Sequence, residues 1–334
     1  MTLTMGSLFA GIGGFDLAAQ NLGIPVLWSS ENNPYASSVL AKRFPNTPNL
    51  GDIHDIETPP PVTLLTGGFP CQDYAVSGPR DGLVGDRGAL WWQFVRLIDC
   101  LNPLWVVGEN VPGLVSSRGG RDFEVIVKSL TQRGYGVAWG TLNSQYFGVP
   151  QNRPRLFIVG RLGNRPRPSV LSLAEGLYGN TPTRRRRRQT HPAGNPPRLG
   201  VNIHPTRGQG SKLNITTTDL AATLTATDAS WHERGTRIIT FAQNTRDEIH
   251  ADKDVAGSLG ARPGHKQQTF LTNGDTIRRF TITERERLQG FPDGWTDTPT
   301  NTITERIRQT GNAVTVPVAE YILANLIDDH RRNP

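Results

Sequence analysis

One of the two cysteines in the chain stands between an apolar run and a glycine-rich stretch. Leu64 and Leu65 predict a buried strand, and Gly67 to Gln72 then predict a loop that places the Cys71 thiol in a crevice at the carboxyl end of a sheet. A thiolate in such a crevice can act as a nucleophile, whereas a lone cysteine is more often a small buried hydrophobic residue. Cys71 is therefore a candidate catalytic residue, with packing as the alternative.

A carboxylate is predicted at the same edge of the sheet. Leu104 to Val107 form a short apolar run that leads into Glu109 and Asn110, next to the predicted position of Cys71. Acids that end buried strands of open α/β folds usually face the ligand crevice. Glu109 is thus the second candidate for chemistry, and a salt bridge to a surface arginine is the alternative.

A second glycine-rich turn lies near the N-terminus. Leu3 to Phe9 predict a strand, and Gly11 and Gly13 follow it before a helix from Phe15 to Asn21. Such turns also join strands to helices for packing reasons alone, but glycines let a backbone approach a ligand closely and helix N-termini attract negative charge. Because Glu31 ends the next strand, where an acid can accept hydrogen bonds from ribose hydroxyls, a nucleoside-containing cofactor is expected.

Asp52 is expected to continue this series at a third strand end, because Gly51-Asp52-Ile53 is predicted to end another short strand segment. An acid at that place can accept a hydrogen bond from an exocyclic amine such as that of adenine. The alternative is a helix N-cap or a turn residue.

The elements that must position these residues follow a regular alternation. Six strand-like runs alternate with helices over residues 1–160, which predicts an α/β fold with a doubly wound, largely parallel sheet, and residues 1–161 are predicted to form the first domain. The helix from Ala89 to Leu101 carries Trp91, Trp92 and Phe94 at helical spacing, so these side chains are expected in the core, and Cys100 is expected to pack with them.

The amino-acid composition of the chain changes after this region. Prolines, glycines, threonines and arginines dominate residues 162–275 and predict a smaller, loop-rich and mainly β module. Residues 276–334 are predicted to return to the first domain, with Thr283 capping a helix from Glu284 to Gln289 and Pro317 opening a last helix from Val318 to Ile327.

Composition restricts the partners. The 334 residues carry a formal net charge of +7, which favours a polyanion such as nucleic acid. Two cysteines cannot build a disulfide framework, and no Cys/His cluster predicts a metal site. Neither a signal peptide nor a membrane span is recognised, so a cytoplasmic protein without a membrane partner is expected. Arg184 to Arg188 form either a solvated loop or a strip along a phosphate backbone.

Taken together, these residues resemble the ordered motifs of the cytosine-5 DNA methyltransferase family over about two thirds of the chain. Phe9, Gly11 and Gly13 resemble its cofactor turn, Glu31 its ribose acid and Asp52 its adenine-binding acid. The further matches are Pro70-Cys71-Gln72, Glu109-Asn110-Val111, Gln151 with Arg153 and Arg155, Arg279 to Pro292, and Gly311-Asn312-Ala313-Val314.

This resemblance implies a Rossmann-like methyltransferase of bacterial or phage type that uses S-adenosylmethionine and double-stranded DNA, with residues 162–275 as the target-recognition domain. The residues implied to hold the cofactor are Phe9, Gly11, Gly13, Glu31, Asn32, Asp52, Ile53, Pro70, Leu90 and Asn312. Those implied to act on a flipped-out cytosine are Cys71, Glu109, Arg153 and Arg155. A monomer is expected, with a cognate restriction endonuclease as a further partner.

Two positions depart from the family pattern. Ala75 stands where the catalytic loop of the family usually has serine, and Asn32 follows the ribose acid where a bulky residue often stacks on the adenine. Three alternatives fit the residues less well. A tRNA methyltransferase of the RNA-acting branch would carry a Cys-Phe-Thr element, which this sequence lacks. A catalytically silent DNA-binding relative would have another residue in place of Cys71 or Glu109. A dinucleotide oxidoreductase would leave Cys71, Glu109 and Arg155 unexplained.

Overall fold

The computed structural model describes residues 3–69, 88–164, 166, 170–171, 200–204, 214–218, 239–243, 249–253, 256–261, 269–272 and 277–332. The predicted nucleophile segment Pro70-Cys71-Gln72, Ala75 and the run from Arg184 to Arg188 lie outside the described residues.

Strands and helices alternate in the first half of the chain, as the hydrophobic pattern predicts. They are β1 Met5–Leu8, α1 Gly14–Asn21, β2 Val26–Ser30, α2 Pro34–Arg43, β3 Leu64–Gly68, α3 Gly88–Leu101, β4 Trp105–Asn110, α4 Arg121–Thr131, β5 Tyr135–Asn143, β6 Gln151–Asn152 and β7 Pro154–Leu162. Between them, the described part of the chain has the 3-10 segments Ile53–Asp55, Pro112–Gly120 and Ser144–Tyr146.

Six of these strands form one sheet in the order β2-β1-β3-β4-β7-β5. β1 pairs in parallel with β2 and β3, and β3 with β4, while β7 runs antiparallel to both of its neighbours. The predicted largely parallel α/β sheet is confirmed. Since β2 lies on one side of β1 and β3 on the other, the strand order reverses beside β1, and ligands bind at the carboxyl ends of the strands at such a point.

Apolar side chains cover both faces of the sheet, because successive strand residues point to opposite sides. Leu64 packs into one core together with residues of α1, α2 and α7 (Val316–Arg332), whereas Leu65 packs into the other with residues of α3 and α4. The C-terminal helix α7 therefore belongs to the layer that covers the central sheet, and Asn21 of α1 donates a hydrogen bond to Glu320 on it.

The later described strands are β8 Gly200–His204, β9 Asn214–Thr218, β10 Ile239–Gln243, β11 Ile249–Lys253, β12 Ala256–Gly257, β13 Thr269–Thr272 and β14 Ile277–Arg279. β8 pairs with β9, and β11-β10-β13-β14 form an antiparallel sheet. β12 pairs with β6, which brings residues 256–261 back to the first half of the chain. The domain boundaries at 161 and 275 stay predictions.

Two helix boundaries differ from the prediction. Helix α5 is Ile282–Leu288, and Thr281 caps it in place of Thr283, in a capping box with Glu284. The last helix begins at Val316 and extends to Arg332. Helix α6, Ile303–Asn312, was missed because its buried residues include Gln309 and Thr310, so no apolar stripe marks it.

The predictions for α3 are partly wrong. Trp91 and Phe94 are buried, but Trp92 is 44% exposed. Cys100 is also exposed, because it shares the helix face of Gln93 and Arg96, and its thiol lies 3.7 Å from the carbonyl oxygen of Glu57. None of the described helices has both the length and the apolar character needed to cross a bilayer.

Candidate active site

The turn after β1 has a backbone conformation that few side chains tolerate. Phe9, Gly11 and Gly13 have φ values of +50°, +57° and +82°. A Cβ on Gly13 would lie 2.5 Å from Cε2 of Phe44, whereas a Cβ on Gly11 would meet no described atom within 4 Å. Left-handed conformations of non-glycine residues persist where the surroundings hold them, and they are frequent at ligand sites. The open side at Gly11 leaves space for a ligand.

Glu31 closes this turn from the end of β2. Its Oε2 accepts a hydrogen bond from the Gly11 amide and its Oε1 one from the Asn33 amide, each at 2.8 Å. Burial raises the pKa of the Glu31 carboxyl, and the two amide hydrogen bonds oppose that shift. Because a carboxylate can accept about four hydrogen bonds, both oxygens retain capacity for hydroxyl donors.

The prediction that Asp52 ends a strand is wrong. Asp52 caps the 3-10 segment Ile53–Asp55. The Pro48–Gly51 stretch before it makes only the isolated bridge Ser29↔Asn49, so no strand forms there to end. The Asp52 carboxylate accepts hydrogen bonds from the His54 amide and from the Asn32 side chain, both at 2.9 Å. These bonds, the one from His54 foremost, lower the pKa of Asp52 to about 2. Asp52 is thus an ionised acceptor linked to the residue that follows Glu31.

The other residues implied to hold the cofactor lie around these acids. Ile53 is buried, and its carbonyl oxygen accepts a hydrogen bond from Arg96 at 2.7 Å. Leu90 is partly buried against the same core, and Asn312 is exposed at the end of α6. Pro70 lies outside the described residues.

Glu109 lies at the end of β4, opposite Gly68 of β3, and is 8% exposed. Its Oε1 lies 3.2 Å from Nε of Arg155, and a Cβ on Gly68 would lie 3.2 Å from its Oε2. Burial raises the pKa of the Glu109 carboxyl, while the positive charges of Arg155 and then Arg153 act in the opposite direction. A buried carboxyl whose protonated form is favoured can donate a proton or a hydrogen bond.

The two arginines predicted to act on the base have different partners. Arg155 contacts Glu109 and donates to the carbonyl oxygen of Pro154 at 2.8 Å. Arg153 is 1% exposed and donates to the carbonyl oxygens of Gly311 at 3.0 Å and Ala313 at 2.8 Å. The described bonds of Arg153 therefore hold the junction between α6 and α7, and a catalytic role for it stays a prediction.

Two residues without a predicted role contact this part of the molecule, one at a strand end and one at the turn after β1. The Asn110 side chain donates to the carbonyl oxygen of Phe69 at 3.2 Å, and the Trp295 indole donates to the carbonyl oxygen of Ile12 at 2.8 Å. A polar residue that ends an apolar strand was the signal for Asn110. No local signal points from Trp295 to Ile12, because 283 positions separate them.

The structure thus brings together Phe9, Gly11, Gly13, Glu31, Asn32 and Asp52 at one strand edge, and Glu109 with Arg155 at the neighbouring strand ends. The fold is of the Rossmann-like type, in which ligands bind at the carboxyl ends of the strands where the strand order reverses. The sequence profile described as C-5 cytosine-specific DNA methylase matches residues 3–328. The chain belongs to this family of S-adenosylmethionine-dependent enzymes and is a DNA (cytosine-5-)-methyltransferase.

Curated relatives agree with this assignment, and a solved structure agrees with the fold. The Type II methyltransferase M.NgoBI of Neisseria gonorrhoeae is 31% identical over 94% of this chain and 89% of its own length. M.Bsp6I of Bacillus sp. (strain RFL6) is 28% identical over 97% and 98%. The Dnmt2 methyltransferase of S. pombe superposes with a TM-score of 0.63 at 18% identity, covering 99% of this chain and 100% of its own. At that identity the structural likeness supports the fold alone.

Proposed function

We propose that this protein methylates carbon 5 of a cytosine within a specific sequence of duplex DNA. The observation that carries the proposal is the buried carboxyl of Glu109, 3.2 Å from Arg155, at the strand end next to the chain that leads to Cys71. A protonatable carboxyl, a guanidinium and a thiol are the three groups that this reaction requires from the protein.

Carbon 5 of cytosine is a poor nucleophile, so the ring must first gain electron density. The thiolate of Cys71 attacks carbon 6 and forms a sulfur–carbon bond. Protonated Glu109 donates to ring nitrogen 3, where charge develops, and burial supports this role by raising the pKa of the carboxyl. Arg155 donates a hydrogen bond to the carbonyl oxygen of the base. S-adenosylmethionine, when bound, would supply the methyl group for carbon 5 and would leave as S-adenosylhomocysteine. A base then takes the carbon 5 proton, the proton on ring nitrogen 3 returns to Glu109, and the bond between carbon 6 and sulfur breaks to release the Cys71 thiolate.

The donor and acceptor groups of the cofactor side fit S-adenosylmethionine. Glu31 retains acceptor capacity for the ribose hydroxyls, ionised Asp52 for the adenine amine, and Gly11 leaves its side of the turn open. We assign Phe9, Gly13, Asn32, Ile53, Pro70, Leu90 and Asn312 to the same site. Since Asn32 is held by Asp52 and has no ring to stack on adenine, it contributes through this hydrogen bond.

The substrate and partner follow from the same proposal. A cytosine ring inside a duplex is inaccessible to Cys71 on either face, so the target nucleotide must be flipped out. Residues 162–275 are proposed to recognise the target sequence. Similarity to Type II methyltransferases supports DNA over tRNA as the substrate and supports a cognate restriction endonuclease as a partner. A monomer in the cytoplasm, where bacterial DNA lies, completes the proposal.

Trapping the covalent intermediate tests the function. Bisulfite mapping of a plasmid from cells that express the protein first identifies the target sequence. A duplex with 5-fluorocytosine at that target should then form a denaturation-resistant adduct in the presence of S-adenosylmethionine, because fluorine cannot leave as the proton does. Cys71→Ala should abolish the adduct and Cys100→Ser, which changes the exposed second cysteine, should retain it.

Two results would contradict the proposal. An adduct with Cys71→Ala would show that another residue is the nucleophile. Methylation of tRNA with none of DNA would assign the protein to the RNA-acting branch.

A further inference from the structure

The indole of Trp295 reaches the turn after β1 from a distant part of the sequence. Its Nε1 donates to the carbonyl oxygen of Ile12 at 2.8 Å, across 283 positions. Trp295 is 6% exposed and Ile12 is 1% exposed, so water does not replace this bond easily. A buried carbonyl that loses its partner keeps the full cost of desolvation.

The indole ring is held by the end of helix α2. The guanidinium of Arg43 lies 5.1 Å from the centre of the ring, and its Nε donates to the carbonyl oxygen of Trp295 at 2.9 Å. Phe44 meets the ring edge-on at a centroid distance of 5.8 Å. The same Phe44 is the neighbour that a Cβ on Gly13 would strike. Trp295 and the turn therefore pack against a common side chain.

The turn itself is strained, since Phe9 has a φ of +50°. Hydrogen bonds from Ala10 to Ser30 at 3.0 Å and from Gly11 to Glu31 at 2.8 Å tie the turn to the end of β2. The bond from Trp295 ties it on another side, to the segment between α5 and α6. A conformation of this kind persists only when its surroundings hold it.

We propose that Trp295 is a positioning residue for the cofactor, whose indole N–H holds the turn Phe9–Gly13 in the conformation that receives the nucleoside. This inference rests on the proposed cofactor site. Without the hydrogen bond, the turn populates other conformations in the free protein. The apparent affinity then falls in proportion to the population of the competent state, whereas saturating cofactor restores that state.

An isosteric replacement separates the hydrogen bond from the packing. Site-specific incorporation of benzothienylalanine at Trp295 puts sulfur in place of the indole N–H and keeps the shape of the ring. Calorimetric titration with S-adenosylhomocysteine should show an affinity about tenfold weaker than that of the unmodified protein. The methylation rate at saturating S-adenosylmethionine should stay unchanged. Trp295→Phe should likewise raise the KM for S-adenosylmethionine and leave kcat unchanged.

Trp28 provides the matched control. Its indole donates to the carbonyl oxygen of Pro60, also at 2.8 Å, and its side chain is fully buried. The same analogue at Trp28 should lower the melting temperature without changing the affinity for S-adenosylhomocysteine.

Unchanged affinity in the Trp295 variant, or an equal loss of affinity in the Trp28 variant, would overturn the inference and leave Trp295 with a packing role. If the unmodified protein does not bind S-adenosylhomocysteine at all, the proposed cofactor site fails instead. The two failures are therefore distinguishable.

Discussion

The side-chain amide of Asn110 donates a hydrogen bond to the carbonyl oxygen of Phe69 at 3.2 Å, across the ends of β4 and β3. Asn110 is buried, and its Oδ1 accepts a hydrogen bond from the Val111 amide at 2.8 Å. Phe69 is the last described residue before Pro70 and Cys71. The strand end that carries Glu109 and the chain that leads to the thiol are therefore joined by one side chain.

Removing that side chain should slow the first chemical step. Asn110→Ala leaves the buried Phe69 carbonyl without its partner, and we expect adduct formation with 5-fluorocytosine DNA to slow about tenfold. The affinity for S-adenosylhomocysteine should change less than this rate, because the described hydrogen bonds of the Asn110 side chain go to Phe69 and Val111 and not to Glu31 or Asp52. Asn301→Ala is the control, since it removes amide hydrogen bonds to the carbonyl oxygen of Thr296 at 2.7 Å and to the side chain of Gln309 at 2.8 Å. Equal slowing in both variants would deny Asn110 a specific role.

Glu109 and Asp52 should have separable effects. Glu109→Gln should lower the single-turnover methylation rate about a hundredfold or more, because an amide cannot transfer a proton. Its affinity for the cofactor should be near that of the wild type. Asp52→Ala should weaken cofactor binding and leave the rate at saturation largely intact. Rate measurements at several S-adenosylmethionine concentrations decide this, and similar losses of affinity in both variants would refute the separation.

The methylation rate should decrease at high pH because of Glu109. Burial raises its pKa above the ordinary 4.5, so the protonated form that can donate persists into a higher pH range and is lost as the pH rises through the folded-state value. The pH dependence of stability has the same sign. The contribution of protonated Glu109 to the free energy of unfolding is fully present below about pH 4.5 and is lost as the pH rises through the raised pKa. Single-turnover rates across the pH range should show this descending limb. A limb that remains in Glu109→Gln would belong to another group.

Cofactor affinity should decrease at low pH because of Glu31. Its pKa is also raised by burial, and a protonated carboxyl accepts ribose hydroxyls less well than a carboxylate. Asp52 does not titrate in that range, because its pKa is about 2. The affinity for S-adenosylhomocysteine, measured by titration at several pH values, should therefore decrease as the pH falls through the pKa of Glu31. Glu31→Gln should abolish this pH dependence of the affinity. If Asp52→Asn abolished it instead, the titrating group would be Asp52 and the prediction for Glu31 would be wrong.

Much of the central fold could be predicted from the sequence because the information is local. Leu64 and Leu65 mark a strand by their own apolar character, and the glycines at positions 11 and 13 mark a turn by their conformational freedom. Glu31 and Glu109 could be placed at strand ends because each stands two or three residues after an apolar run that ends at Trp28 or Val107. The order of these residues along the chain was also sufficient to show the resemblance to the family.

The sequence by itself therefore determined the α/β class, the family motifs and the identity of the acids at the strand ends. Only the tertiary structure decided that Asp52 caps a 3-10 segment, that Cys100 is exposed, that Arg153 holds the carbonyl oxygens of Gly311 and Ala313, and that Trp295 donates to Ile12. The physical reason is that a hydrogen bond constrains the positions of its two groups in space and leaves no periodic pattern in the chain between them. Apolar periodicity records which face of an element is buried, but the partner of a buried polar group depends on how all the elements pack.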